Sequence, residues 1–182
     1  MESRGNDNCQ GGVNSFASTL HWGPGYPMDP WQKAHAEYTV PSGTLNDDFH
    51  IYELEWTEDH IITRIDDTEV LNFPFDEDMF TKGEFPSTVN NPWEHSKNKN
   101  APFDQEFFIL FNVAVGGTND YFPDGQCGKT WTNDDPRAVN TFYDSKDAWY
   151  HTWNYPETHD SALQIDYVKV FSLDGEEGFL EA

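Results

Sequence analysis

The chain has 182 residues and a formal net charge of −23, from 33 acidic and 10 basic residues. A field of that sign repels nucleic acid and anionic membrane surfaces, and leaves a neutral or cationic partner, or solubility alone, as its use. Only 36% of residues are hydrophobic but 16% are aromatic, and aromatic burial provides enough apolar area for one ordered domain rather than a disordered acidic chain.

The first dozen residues, MESRGNDNCQGG, are polar and lack the apolar stretch of a signal peptide. They read as a strand end followed by a Gly/Asn/Asp loop. From Val13 the pattern alternates, with Ser15, Ala17, Thr19 and His21 on one face and Phe16, Ser18, Leu20 and Trp22 on the other. GPGYPMDP (23–30) is too rich in Pro and Gly for regular structure. Ala34 to Val40 is a short strand with His35, Glu37 and Thr39 outward. Phe49 to Trp56 and Asp59 to Asp66 form a hairpin closed by Thr57-Glu58-Asp59, and Asp66-Asp67 turns the chain into another strand over Glu69 to Phe73. Residues 74–102 are loop-like, with one helical turn near Asp76 to Phe80; a connection this long is often functional.

Phe107 to Ala114 is apolar except for Asn112. Its length and its Phe and Val content predict a strand, and apolar residues on both faces predict an interior one. Asn112 would then be a buried amide in need of partners. It either pins a bulge or opens its face onto a ligand groove. Thr118 to Pro136 is irregular, Arg137 to Asp144 is ambiguous, and a short helical turn over Ser145 to Trp153 is expected to be capped by Ser145. Ser161 to Leu173 reads as the last strand. With no linker or internal repeat, one domain over residues 1–182 is expected. Many short strands between Pro/Gly turns predict an all-β antiparallel β-sandwich or barrel.

Trp22, Trp31, Trp93, Trp131, Trp149 and Trp153 lie in or beside irregular segments. Sugar rings stack their C–H faces on indole and offer hydroxyls to acidic and amide side chains, so a groove rimmed by such residues suits a saccharide; covering the ends of a sandwich is the other use of these rings. His21, at a strand end beside Trp22, either assists chemistry or makes a structural hydrogen bond. There is no GxSxG elbow, zinc spacing or EF-hand loop, no cofactor is called for, and Asp47-Asp48 and Asp66-Asp67 read as turn residues.

Seven stretches, MESRGN (1–6), STLHWG (18–23), DDFHIYELEWTEDHI (47–61), DQEFFILFNVAVGG (104–117), YFPDG (121–125), WYHTW (149–153) and QIDYVKVF (164–171), resemble in order the laminarinase-like branch of glycoside hydrolase family 16. That branch includes animal β-1,3-glucanases and β-1,3-glucan recognition proteins. The resemblance implies a concanavalin-A-like jelly roll, a β-1,3-glucan polysaccharide as partner, no nucleic acid or membrane partner, and an extracellular parent protein; a monomer is compatible with it. In the branch a strand carries a nucleophilic Glu, a helper Asp and an acid/base Glu just before Ser-Arg-Gly-Asn. Glu2 matches the acid/base, and the other two carboxylates have no counterpart here. The expectation is therefore a chain missing the family's N-terminal strands.

By the same resemblance His21 matches the histidine near the cleft, and Asn6, Trp22, Asn112 and Trp131 match groove residues. Cys9 and Cys127 lie beside cleft segments and would pair if the protein is exported, or stay reduced in a cytosol. Two functions follow. The first is retaining hydrolysis of internal β-1,3-glucosidic bonds by the longer parent, which needs two carboxyls about 5–5.5 Å apart; this chain by itself is expected to be nearly inactive. The alternative is glucan recognition without hydrolysis.

Overall fold

A computed structural model describes residues 1–5, 11–159, 161–173 and 177–179. All strand pairings in it are antiparallel and helix is confined to short segments, the all-β class of a jelly-roll sandwich. The chain divides into two compact units, Met1–Phe108 and Ile109–Ala182.

In the first unit β1 (Ser15–Thr19) pairs with β2 (His35–Thr39) in the register Ser15↔Thr39, Ala17↔Glu37 and Thr19↔His35. A second sheet has the order β3 (Tyr52–Trp56), β4 (His60–Ile65), β5 (Thr68–Pro74). The expected hairpin is present, with Thr57 N–H bonded to His60 O at its turn. The second turn uses Asp66 and Asp67 at φ 45° and 66°, the left-handed pair that a tight two-residue hairpin demands. β4 lies between two strands and buries Ile61, Ile62, Thr63 and Ile65, whereas β3, which among the described residues has one neighbouring strand, leaves Tyr52, Leu54 and Trp56 exposed.

Trp22, Ala34, Ile61, Leu71, Phe73, Phe75, Met79 and Phe103 make the core of this unit. A buried hydroxyl pair, Thr63 Oγ1 donating to Ser18 Oγ at 2.8 Å, ties β4 to β1, and Phe16 meets Tyr52 edge-on at 5.3 Å. The long loop after β5 holds one helical turn, α1 (Met79–Lys82), capped by Asp78, whose carboxylate accepts from Thr81 N–H.

The second unit contains α2 (Ala138–Asp144), α3 (Lys146–Trp149), a 3-10 turn over Tyr150–Trp153, and the hairpin β6 (Lys169–Phe171) with β7 (Glu177–Phe179). One expectation is met in part and another is corrected. Ser145 stands at the N-cap position of α3, as expected, but its side chain makes no cap hydrogen bond there; its hydroxyl donates back to Thr141 O at 2.7 Å, at the end of α2. The last strand is confined to Lys169–Phe171 within the stretch 161–173.

The largest correction concerns Phe107 to Val115. The run lies in no sheet and is exposed on both sides: Phe108 is 92% and Leu110 83% accessible, Phe107, Ile109, Phe111 and Val113 between 53% and 62%. A strand's own residues set its preference, but its place in a sheet is set by the strands that accept its N–H and C=O groups. No strand of the described residues pairs with this run. Asn112 is accordingly exposed, so the buried amide expected from the sequence does not arise.

Candidate functional site

Glu2 is placed by backbone pairing. Its N–H donates to Ala17 O and its carbonyl accepts from Ala17 N–H, both at 2.8 Å, while Ser3 Oγ donates to Ser15 O at 2.8 Å. The segment Met1–Arg4 thus lies along the free side of β1. Directly opposed residues of antiparallel strands share a face, so Glu2 stands on the face of Ala17, with Thr19 further along it. Side chains on this face are half-buried or exposed, except Ser15, while Phe16, Ser18 and Trp22 on the other face are buried. His21 follows two residues beyond the end of β1 and, like Glu2, is exposed.

His21 Nδ1 lies 2.7 Å from Asp29 Oδ2. A carboxylate is an acceptor, so Nδ1 carries the proton and donates to Asp29, which leaves Nε2 as the ring nitrogen not engaged by this pair. His21 and Asp29 line an open depression of ≈ 510 Å³ together with Tyr26 and Trp31. Tyr26 is fully accessible and Trp31 38% accessible. The turn between the two partners has Met28 N–H bonded to Gly25 O. Gly23 is obligatory in it, because a Cβ there would sit 1.8 Å from Met28 O.

Trp22, assigned to the groove from the resemblance, is only 5% accessible and donates its indole N–H to Met79 O at 3.0 Å. It faces the core, tilted against Phe73 at 5.6 Å, and gives the depression a wall rather than a stacking face. The exposed rings of this region are Tyr26 and Trp31. Asn6 and Cys9 lie outside the described residues; Cys127 is buried and disulfide-bonded.

Asn112 and Trp131 belong to the second unit. Trp131 is half-buried, donates its indole N–H to Gly117 O at 2.8 Å and meets Phe142 edge-on at 5.2 Å. Phe142 stacks on Trp149 at 4.5 Å, and Trp149 tilts against Trp153 at 5.2 Å. Three of the six loop tryptophans thus pack into one chain of rings. Lys129 anchors the loop that presents Trp131: its almost fully buried side chain bonds Phe122 O at 3.1 Å, Asp124 at 2.7 Å and Asn133, and its charge sits 5.6 Å from the Trp131 ring. Lys129, and after it the Asn133 N–H, hold the Asp124 carboxyl below the usual carboxylate range.

Among the described residues no group of His, Cys, Asp and Glu side chains could hold a metal ion, and no helix is long and apolar enough to cross a membrane. The chemistry on offer is that of polar and aromatic side chains: polar groups at Glu2 and His21, and rings at Tyr26 and Trp31.

Comparison with known proteins gives a family match and a set of relatives. Residues 1–96 match the family described as Glycosyl hydrolases family 16. The chain is 39% identical to a "Beta-1,3-glucan-binding protein" of Penaeus monodon over 97% of this chain and 49% of that protein. It is 30% identical to "Beta-1,3-glucan-binding protein 1" of Galleria mellonella over 91% of this chain and 33% of that one. It is 33% identical to "Glucan endo-1,3-beta-glucosidase A1" of Niallia circulans over 58% of this chain and 14% of that enzyme. The chain thus spans half or less of the length of these relatives, and no solved structure matches it. With a family match over more than half its residues, 96 of 182, this chain belongs to glycosyl hydrolase family 16.

Proposed function

We propose that the chain is a recognition module for β-1,3-glucan, acting by binding. The observation that carries this reading is the similarity over 97% of the chain to a protein named for glucan binding. The site's chemistry supports it. Glu2 and His21 stand in solvent on an open face, where hydrogen-bonding a neutral polyol is natural. A glycosidase acid instead needs a sheltered carboxyl with a raised pKa. The charge of −23 favours a neutral polysaccharide over a sulfated or phosphorylated one. In this reading Glu2, His21 and Asn6 hydrogen-bond sugar hydroxyls, Trp22 walls the groove, and in the second unit Trp131 stacks and Asn112 hydrogen-bonds. The protein works outside the cell, where such polysaccharides are met.

Hydrolysis by a longer protein is the second reading, favoured by Glu2 at the position matching the family's acid/base and by the similarity to a glucan endo-1,3-beta-glucosidase. Binding measured on the 182-residue chain and release measured on the longer protein that contains it separate them. Laminarin should retard the chain in an affinity gel and give a calorimetric isotherm, while a reducing-sugar assay of the longer protein on laminarin shows no release. Binding without release supports recognition; release abolished by E2Q would replace it with hydrolysis.

A further inference from the structure

The face that carries Glu2 continues across β1 onto β2, where it presents residues that neither the family resemblance nor the relatives' names assign. Ala17 gives both its backbone hydrogen bonds to Glu2 and is paired in register with Glu37 on its other side. Glu2, Ala17 and Glu37 therefore form one row on one face. The two glutamates are about 10 Å apart at the backbone, two inter-strand spacings. In the next row Thr19 opposes His35, and Thr19 Oγ1 lies 2.8 Å from His35 Nδ1. His35 Nε2 in turn lies 3.7 Å from Glu37 Oε1. The Trp31 ring meets the His35 ring edge-on at 5.1 Å and 82°, so an exposed indole is braced beside this row. Trp31 also lines the depression that holds His21 and Asp29.

We propose that Trp31, His35 and Glu37 form a further sugar subsite, contiguous with the Glu2 row, that holds one neutral glucosyl unit of a β-glucan. This rests on the glucan-binding reading above and names where an added sugar unit would lie. The floor is small, Ala17 and Thr19, which lets a flat pyranose ring approach the sheet. Trp31 offers its π face to the apolar C–H face of the ring. Glu37, 68% accessible, and Glu2 accept hydrogen bonds from hydroxyls on opposite edges of that ring. His35 orients both neighbours, meeting the Trp31 ring and approaching the Glu37 carboxylate, while Thr19 fixes the imidazole. Two carboxylates across the row repel an anionic sugar, so the unit accepted is uncharged.

The test uses the full 182-residue chain and its W31A, W31F and E37Q variants, titrated by calorimetry with laminarin and with laminari-oligosaccharides of three to six units. The expected result is binding by the wild type, a loss of about tenfold or more for W31A and about threefold or more for E37Q, and near wild-type binding by W31F. The gain in affinity on lengthening the oligosaccharide should be smaller in W31A, with thermal midpoints unchanged. Wild-type binding with equal affinity in W31A and E37Q overturns the subsite and leaves the glucan reading standing. Equal losses in W31A and W31F with lowered midpoints make Trp31 structural and also overturn it. A wild type that binds neither laminarin nor the oligosaccharides overturns both.

Discussion

His21 and Asp29 form a pair, Nδ1 to Oδ2 at 2.7 Å, across a turn of seven intervening residues. Both side chains are partly open to solvent, 59% and 37% accessible, so the pair contributes little to stability. Its consequence is orientation: the carboxylate accepts from Nδ1–H and fixes the ring, leaving Nε2 as the ring nitrogen not engaged by the pair. In D29A the ring should rotate and exchange tautomers. Laminarin affinity should fall about three- to tenfold, the worth of one ordinary hydrogen bond, with little change in the thermal midpoint. Calorimetry with laminarin, beside the imidazole nitrogen shifts in NMR, checks both parts.

Trp131 couples stability to binding in the second unit. Its indole bond to Gly117 O and its edge contact with Phe142 mean that W131A removes packing as well as any sugar-stacking face. The variant should lose about 2 kcal/mol, roughly half the cost of truncating a fully buried aromatic. Denaturant unfolding followed by tryptophan fluorescence measures this. W131F should restore most of the stability without the indole hydrogen bond, and comparing the two on laminarin separates stacking from folding.

The hydroxyl pair Thr63–Ser18 is buried, with the two residues 3% and 2% accessible. T63V keeps the shape but removes the donor to Ser18, and should destabilise by about 1–3 kcal/mol. S18A with T63V should cost less than the sum of the single changes, because the two share one hydrogen bond. Urea unfolding of the four proteins completes the cycle.

Acid should loosen the loop around Trp131. The Asp124 carboxyl sits below its ordinary 3.8, chiefly through Lys129 and next through the Asn133 N–H. A carboxylate whose folded pKa is depressed contributes fully above its unfolded value and loses that contribution as pH falls through the folded one. The contribution is therefore intact at neutral pH and is lost on acidification below about pH 4. Trp fluorescence should track the change, and D124N should remove this component of the acid response while weakening the loop at neutral pH.

Local signals were legible in the sequence. Thr57-Glu58-Asp59 and Asp66-Asp67 mark their turns because the φ angles they need are set within a few residues. The alternation from Ser15 to Trp22 also sorts the faces correctly: Trp22 falls with Phe16 and Ser18, the buried side, and His21 with Ala17 and Thr19, the open side. That alternation already pointed away from Trp22 as a stacking ring. The outward set His35, Glu37 and Thr39 was visible too, but its place beside Glu2 was not, because the pairing of Glu2 with Ala17 joins residues 15 positions apart through backbone atoms alone.

The sequence by itself determined the all-β class, the family, and the alternating faces of the first strand, since each follows from residue type and spacing along the chain. Only the tertiary structure decided that Glu2 shares a row with Glu37, that Asp29 orients His21, and that Trp131, Phe142 and Trp149 pack as a chain of rings. It also decided the state of Phe107 to Val115, whose composition asks for an interior strand. Hydrogen-bond partners and burial are supplied by other segments, and a segment's own side chains record what it prefers without recording which neighbours meet it.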